Sequence, residues 1–114
     1  MSTEHEAWYD QWKAEKAQLI EYFNTKQYKE TKPTMSTYTQ LFITKLCELN
    51  KHDHSEINIK ELDTLEYKPI NIAERIQYVQ DNLTQYHAFI QLDALYDELI
   101  KLYAKASILR GQLD

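Results

Sequence analysis

One glycine, Gly111, and two prolines, Pro33 and Pro69, stand in a chain of 114 residues. Glycine supplies the positive-φ turns and phosphate loops on which many active sites are built, and proline punctuates most turns. A chain nearly free of both, and rich in Leu, Lys, Glu, Gln and Ala, is restricted to helices joined by a few polar breaks. The expected fold is all-α: one domain over 1–114, a bundle of about four helices, with a long acidic loop between the second and third.

Apolar spacing locates the helices. The first should start near Thr3 or Glu4, where Thr3 and Glu6 have capping-box spacing, and bury Trp8, Trp12, Leu19, Ile20 and Phe23. A polar stretch without period runs from Thr25 to Thr34. The second helix is expected from about Met35 to Asn50, on a face of Met35, Tyr38, Leu41, Phe42, Leu46 and Leu49. Asn71 and Glu74 form a second capping-box pair and open a third helix to about Asn82, burying Ile72, Ile76 and Val79. Thr84 can cap the fourth, from about Gln85 to Leu109. Its stripe of Phe89, Leu92, Leu95, Tyr96, Leu99, Leu102, Tyr103, Ala106 and Leu109 is wider than a coiled-coil seam and suits the hub of a bundle. Asp97 and Lys101 have favourable i,i+4 spacing on its outer face, and Gly111 is the expected stop.

Between Lys51 and Ile70 the pattern changes. Asp53, Glu56, Glu61, Asp63 and Glu66 share the stretch with loosely alternating Ile57, Ile59, Leu62 and Leu65. The segment reads as a loop pinned to the core by its aliphatics, with a short helical turn or brief strand as alternatives near Ser55–Leu62. Loops of this length are often functional.

Charge and cysteine usage narrow the function classes. The formal charge is −5, with eleven lysines but only Arg75 and Arg110 as arginines. Arginine dominates phosphate and base recognition, so an acidic, arginine-poor chain argues against direct nucleic-acid binding. A lone Cys47 cannot form an internal disulfide, which points to a reducing cytoplasm. The opening MSTEHEAWYDQW is polar and acidic where a secretory signal would be basic and then apolar, and no apolar run is long enough to span a membrane.

Motifs that carry chemistry are sparse. His52, Asp53 and His54, with Glu56 near, form the one cluster of metal-type residues. Neighbours in one loop rarely converge without ligands from elsewhere, so a solvated helix end is the simpler reading. No carboxylate pair has spacing that by itself sets up acid–base work. Cys47 and His87 would meet as nucleophile and base only by tertiary accident, and a cysteine on an amphipathic helix is usually a small core residue. Nothing points to a cofactor.

Nine tyrosines remain. Tyr38, Tyr96 and Tyr103 lie on helix stripes and should bury their rings. Tyr9, Tyr22, Tyr28, Tyr67, Tyr78 and Tyr86 fall beside the stripes, and tyrosine is enriched at interaction surfaces. The candidate binding residues are Lys68, Arg75, Tyr86, His87 and Gln91, at the ends of two successive helices. Arg75 has a plain structural alternative: an ion pair with an acid of the 53–66 loop.

The run Lys68-Pro69-Ile70-Asn71, then Glu74-Arg75, then Tyr86-His87-Ala88-Phe89-Ile90-Gln91-Leu92 and Leu95-Tyr96-Asp97-Glu98-Leu99, resembles the C-terminal half of the YpoC-like family. These are small proteins of Gram-positive bacteria without an established activity or cofactor. The likeness covers about 40 residues in this reading; the N-terminal half shows no match. Family members tend to be encoded near replication, repair and cell-wall genes, so the resemblance implies an accessory role.

The sequence thus favours a cytoplasmic, non-enzymatic protein-interaction module. The alternatives are a nucleic-acid-associated accessory protein in DNA replication or repair, and an enzyme with a composite site.

Overall fold

The computed structural model describes residues 6–53 and 57–113. Four α-helices, α1 (Ala7–Asn24), α2 (Lys32–Leu49), α3 (Ile72–Asp81) and α4 (Tyr86–Leu113), account for most of them. Two 3-10 turns, Tyr28–Thr31 and Ile59–Thr64, fill the breaks, and no strand occurs among the described residues. The fold is all-α, as the scarcity of glycine and proline requires.

Helix α4 is the hub. Tyr9 of α1 meets Asp97, while Phe23 at the other end of α1 meets Tyr86, so α1 runs antiparallel to α4. The hydroxyls of Tyr96 and Tyr103 reach the carbonyls of Tyr38 and Lys45, so α2 runs parallel to α4. Helix α3 doubles back into α4 and also packs on the 59–64 turn. Between these elements Trp12, Leu19, Phe42, Leu46, Ile76, Leu92, Leu95, Tyr96 and Leu99 are fully buried. Each such side chain contributes about 1.5–3 kcal/mol by leaving water. At the centre the Trp12 indole stacks on Tyr96, centroids 4.8 Å apart and planes within 10°. Phe42 meets the same tyrosine edge-on.

Several helix ends differ from the expected ones. Thr3 lies outside the described residues; α1 begins at Ala7 with Glu6 at its cap, and no side chain caps it. Ile20 is exposed, because Trp8, Trp12, Leu19 and Phe23 form the seam and Ile20 is turned about 100° from Leu19. Helix α2 starts at Lys32, earlier than expected, since Pro33 sits in its first turn, where the missing N–H has no partner to lose. Its buried face also takes in Thr39, Ile43 and Cys47; the Thr39 hydroxyl donates to the Met35 carbonyl and so hides its polarity.

The 51–70 segment is pinned as expected: Leu62 and Leu65 are buried, Ile57 and Ile59 partly so. Within it the 59–64 turn is closed by a capping box between Asn58 and Glu61. Asn50 holds the far end. Its Nδ2 donates to the carbonyls of Leu46 and Tyr67, and its Oδ1 accepts the Tyr67 N–H.

The capping box expected at Asn71 and Glu74 is not made. Asn71 occupies the cap position in the left-handed region (φ 55°, ψ 39°) with no side-chain bond to the helix. The Asp63 carboxylate, from the 59–64 turn, accepts the Ala73 N–H instead. At α4 the Gln85 carbonyl receives the first helical bonds, from Ala88 and Phe89, so the cap lies one residue past Thr84. The helix then continues through Gly111 to Leu113, and Gly111 is not its stop. Asp97 turns to Tyr9 and forms no ion pair with Lys101.

Candidate functional site

The five candidate residues separate into groups. Arg75, one turn into α3, points across to α4. Its Nε donates to Gln91 Oε1 at 2.7 Å, and its Nη1 and Nη2 donate to the two carboxylate oxygens of Glu98 at 2.9 and 2.6 Å. Nη1 also reaches the Ile70 carbonyl at 3.1 Å. The guanidinium side chain is only 16% exposed. This is the fork-on-carboxylate geometry that makes arginine pairs strong and specific. The acid that meets Arg75 is Glu98 of α4, not one from the 53–66 loop, though the Ile70 contact ties the loop's end into the same clamp.

Tyr86 and His87 lie elsewhere, exposed at the start of α4 with ring centroids 6.5 Å apart. Lys68 is half-buried in the segment that Asn50 holds and joins no ion pair among the described residues.

The other acids of α4 are also engaged. Asp93 accepts the Trp12 indole N–H at 2.9 Å and pairs with Lys16 at 3.0 Å. Asp97 accepts the Tyr9 hydroxyl at 2.7 Å. That bond, with some burial, raises the Tyr9 phenol to about 12. Burial, with the nearby Asp53 and Glu48, raises the Cys47 thiol above its ordinary value. Cys47 stands near the end of α2 and His87 at the start of the parallel α4, so the two lie at opposite ends of the bundle.

Past the end of α2, His52 Nδ1 lies 2.8 Å from the Asp53 carbonyl oxygen. His54 and Glu56 lie outside the described residues. Among the described residues no three metal-type side chains converge.

An open groove of about 630 Å³ runs between α2 and α3, walled by Ser36, Thr37, Gln40, Thr44 and Gln80 among others. A neighbouring hollow of about 500 Å³ shares Gln40 and Gln80 and adds Ile57, Ile59, Lys60 and Gln77. Amides and hydroxyls alternate there with Leu41, Leu83, Ile43, Ile57 and Ile59, and neither hollow includes a carboxylate, imidazole, thiol or guanidinium in its walls. None of the five candidate residues reaches it.

A different surface lies where α1 ends and α2 and α4 begin. Phe23 is buried, but Ile20 (40% exposed), Tyr28 (46%) and Tyr86 (52%), which share a hollow with it, are not, and Ile90, one turn beyond Tyr86 on α4, is 44% exposed. Tyr86 meets Phe23 edge-on at 5.5 Å, and Tyr28 tilts against Phe23 at 6.3 Å. The rings stand in three adjoining hollows that share Tyr28. Sequence reasoning marked Tyr28 and Tyr86 as off-stripe but placed Ile20 in the core. Periodicity cannot separate a residue on a helix seam from one at its edge.

The architecture defines a small all-α bundle whose longest helix is braced by polar bonds on several sides. The chain belongs to the YpoC-like protein family, whose model matches residues 2–111. The match therefore extends into the N-terminal half, where the residues alone showed no likeness. A relative from Bacillus subtilis (strain 168), Uncharacterized protein YpoC, is 53% identical over 38 residues. That stretch is 33% of this chain and 23% of the relative, so the matched part spans less than a quarter of the relative's length. No solved structure matches the chain.

Proposed function

We propose that this protein is a non-enzymatic interaction module and that its contact surface is the aromatic end formed by Ile20, Phe23, Tyr28, Tyr86 and Ile90. The observation that carries this reading is the exposure of three large apolar side chains around one buried ring, with Ile90 one turn further along α4. Clustered apolar groups of this kind mark contact surfaces, whereas scattered ones are ordinary. Two of them are tyrosines, which give rigid contact area with a polar tip. The charged groups most suited to chemistry support it from the other side: Arg75, Asp93, Asp97 and Glu98 all join helices together. The proposed setting is the cytoplasm, on the strength of the lone Cys47, which is a buried free thiol. Among the described residues no helix is long and apolar enough to cross a membrane.

Site-specific photo-cross-linking in native cells tests the reading. A benzophenone side chain at position 87 should give one discrete adduct, and the same group at position 36, in the α2–α3 groove, should give none. Adducts of equal yield from both positions, or an adduct from position 36 alone, would move the contact surface away from the aromatic end.

A further inference from the structure

Tyr28 stands between two hollows. On one side, Ile20, Phe23 and Tyr86 wall a depression of about 300 Å³. On the other, Lys26, Gln27, Lys29 and Glu30 wall one of about 370 Å³. One ring thus forms a wall of both hollows, the second edged by two lysines and Glu30.

The lysine side is built into the chain's path. After α1 the backbone closes with the Lys26 N–H donating to the Phe23 carbonyl at 3.2 Å and the Gln27 N–H to the Tyr22 carbonyl at 2.8 Å. This is the Schellman arrangement, and it sets Lys26 in the left-handed region at φ 61°. Lys29 follows in the 28–31 turn and Lys32 opens α2, where the helix dipole disfavours a cation. All three lysines are exposed, and none is in an ion pair among the described residues. From Ile20 to Phe42 and from Asn82 to Leu92 the acids are Glu21 and Glu30, against the three lysines. On a chain of net charge −5, this end thus carries a local excess of cations, which favours an anionic segment.

Resting on the interaction reading above, we infer that the aromatic end recognises an acidic peptide segment carrying an apolar anchor. The anchor seats against Phe23 and Tyr86, and neighbouring carboxylates meet Lys26 and Lys29 across the Tyr28 ring. Discrimination comes from the pairing: an apolar peptide without acids leaves the lysines unanswered, and an acidic one without an anchor leaves the rings wet.

Fluorescence anisotropy on the intact chain tests this with three labelled peptides. One interleaves Asp and Glu with Leu and Phe; the second replaces its acids by Asn and Gln; the third replaces its Leu and Phe by Ser. The first should bind, and each of the others should bind at least about tenfold more weakly. Its affinity should fall as salt rises, and the double change Lys26→Glu, Lys29→Glu should abolish it without altering the melting curve. Tyr28→Ala, at an exposed ring, should weaken it as well. Equal, salt-insensitive binding of the second peptide would overturn the acidic assignment and leave the contact surface standing. Binding of none of the peptides would also overturn it, and the position-87 cross-link then decides separately whether the surface itself survives. A single-stranded oligonucleotide that binds more tightly than the first peptide, through the same lysines, would overturn it in favour of nucleic acid.

Discussion

The hydroxyl of Tyr96 donates to the backbone carbonyl of Tyr38 at 2.5 Å, joining the centre of α4 to the centre of α2. Seven residues further along both helices, Tyr103 does the same to Lys45 at 2.6 Å. Two turns of helix separate the pairs, so matched heptad steps hold α2 and α4 parallel and in register. Seven residues beyond Tyr103, but only four beyond Lys45, Arg110 adds a third tie, to the Leu49 carbonyl at 2.6 Å.

Tyr96→Phe should therefore cost about 0.5–1.5 kcal/mol, the net worth of one hydrogen bond, with the ring packing retained. Urea unfolding of the single and double Phe variants at 96 and 103 checks this. The two sites are about 10 Å apart along the helix, so their effects should nearly add.

The same tyrosines set the alkaline limit of stability. Tyr9 is raised from 10.0 to about 12 by its bond to Asp97 and by burial. Tyr38, Tyr96 and Tyr103 are raised mainly by burial. In each case the folded state holds the phenol proton more tightly than the unfolded state. The stabilisation is complete below the unfolded value near 10 and is lost as pH rises towards the folded values. Stability followed by circular dichroism should fall steeply above about pH 10, and less steeply in Tyr9→Phe. A flat profile through that window would contradict the assignment of the Tyr9–Asp97 bond.

Arg75→Ala strands the Glu98 carboxylate and the Gln91 amide and frees the Ile70 carbonyl. The expected cost is about 1–3 kcal/mol, below that of a fully buried pair because Glu98 stays partly hydrated. Proteolysis around Leu65–Asn71 should quicken, and Arg75→Lys should not restore the fork. An unchanged melting temperature would remove Arg75 from the structural framework and return it to the binding candidates.

Lys51 ends α2 at φ 56°, with its N–H on the Glu48 carbonyl and the next N–H on that of Cys47. A left-handed conformation disfavours any residue with a β-carbon by about 1–2 kcal/mol. Glycine relieves that at the expense of a looser unfolded chain, so Lys51→Gly should stabilise by about 0.5–1 kcal/mol. Thermal unfolding would show it directly.

Fold class and most of the core were legible because helical period reports burial whenever one face is apolar. Ile72, Ile76 and Val79 are all buried as their spacing requires. The helix ends were less legible, because this chain closes them with residues that do not advertise the role. Lysines take the left-handed positions after α1 and α2, where a glycine would have signalled a stop. Asp63 caps α3 from ten residues away, so no local capping box records it. Arg75 stood out through arginine's scarcity, but its partner Glu98 lies 23 residues on and belongs to another helix. The aromatic end was half visible: Tyr28 and Tyr86 fell beside the stripes, yet only the packing of α1 on α4 shows that both meet Phe23.

Whether the aromatic end, rather than the Arg75–Glu98 clamp or the α2–α3 groove, meets a partner is read most directly from cross-linking at position 87 in a chain carrying Tyr28→Ala and Tyr86→Ala. Both rings are exposed, so unfolding should stay cooperative, with Tyr28→Ala alone as the milder variant. The expected result is loss of the adduct formed by the parent chain while the helical circular dichroism is preserved. An adduct of undiminished yield from the folded double variant would show that the partner binds elsewhere.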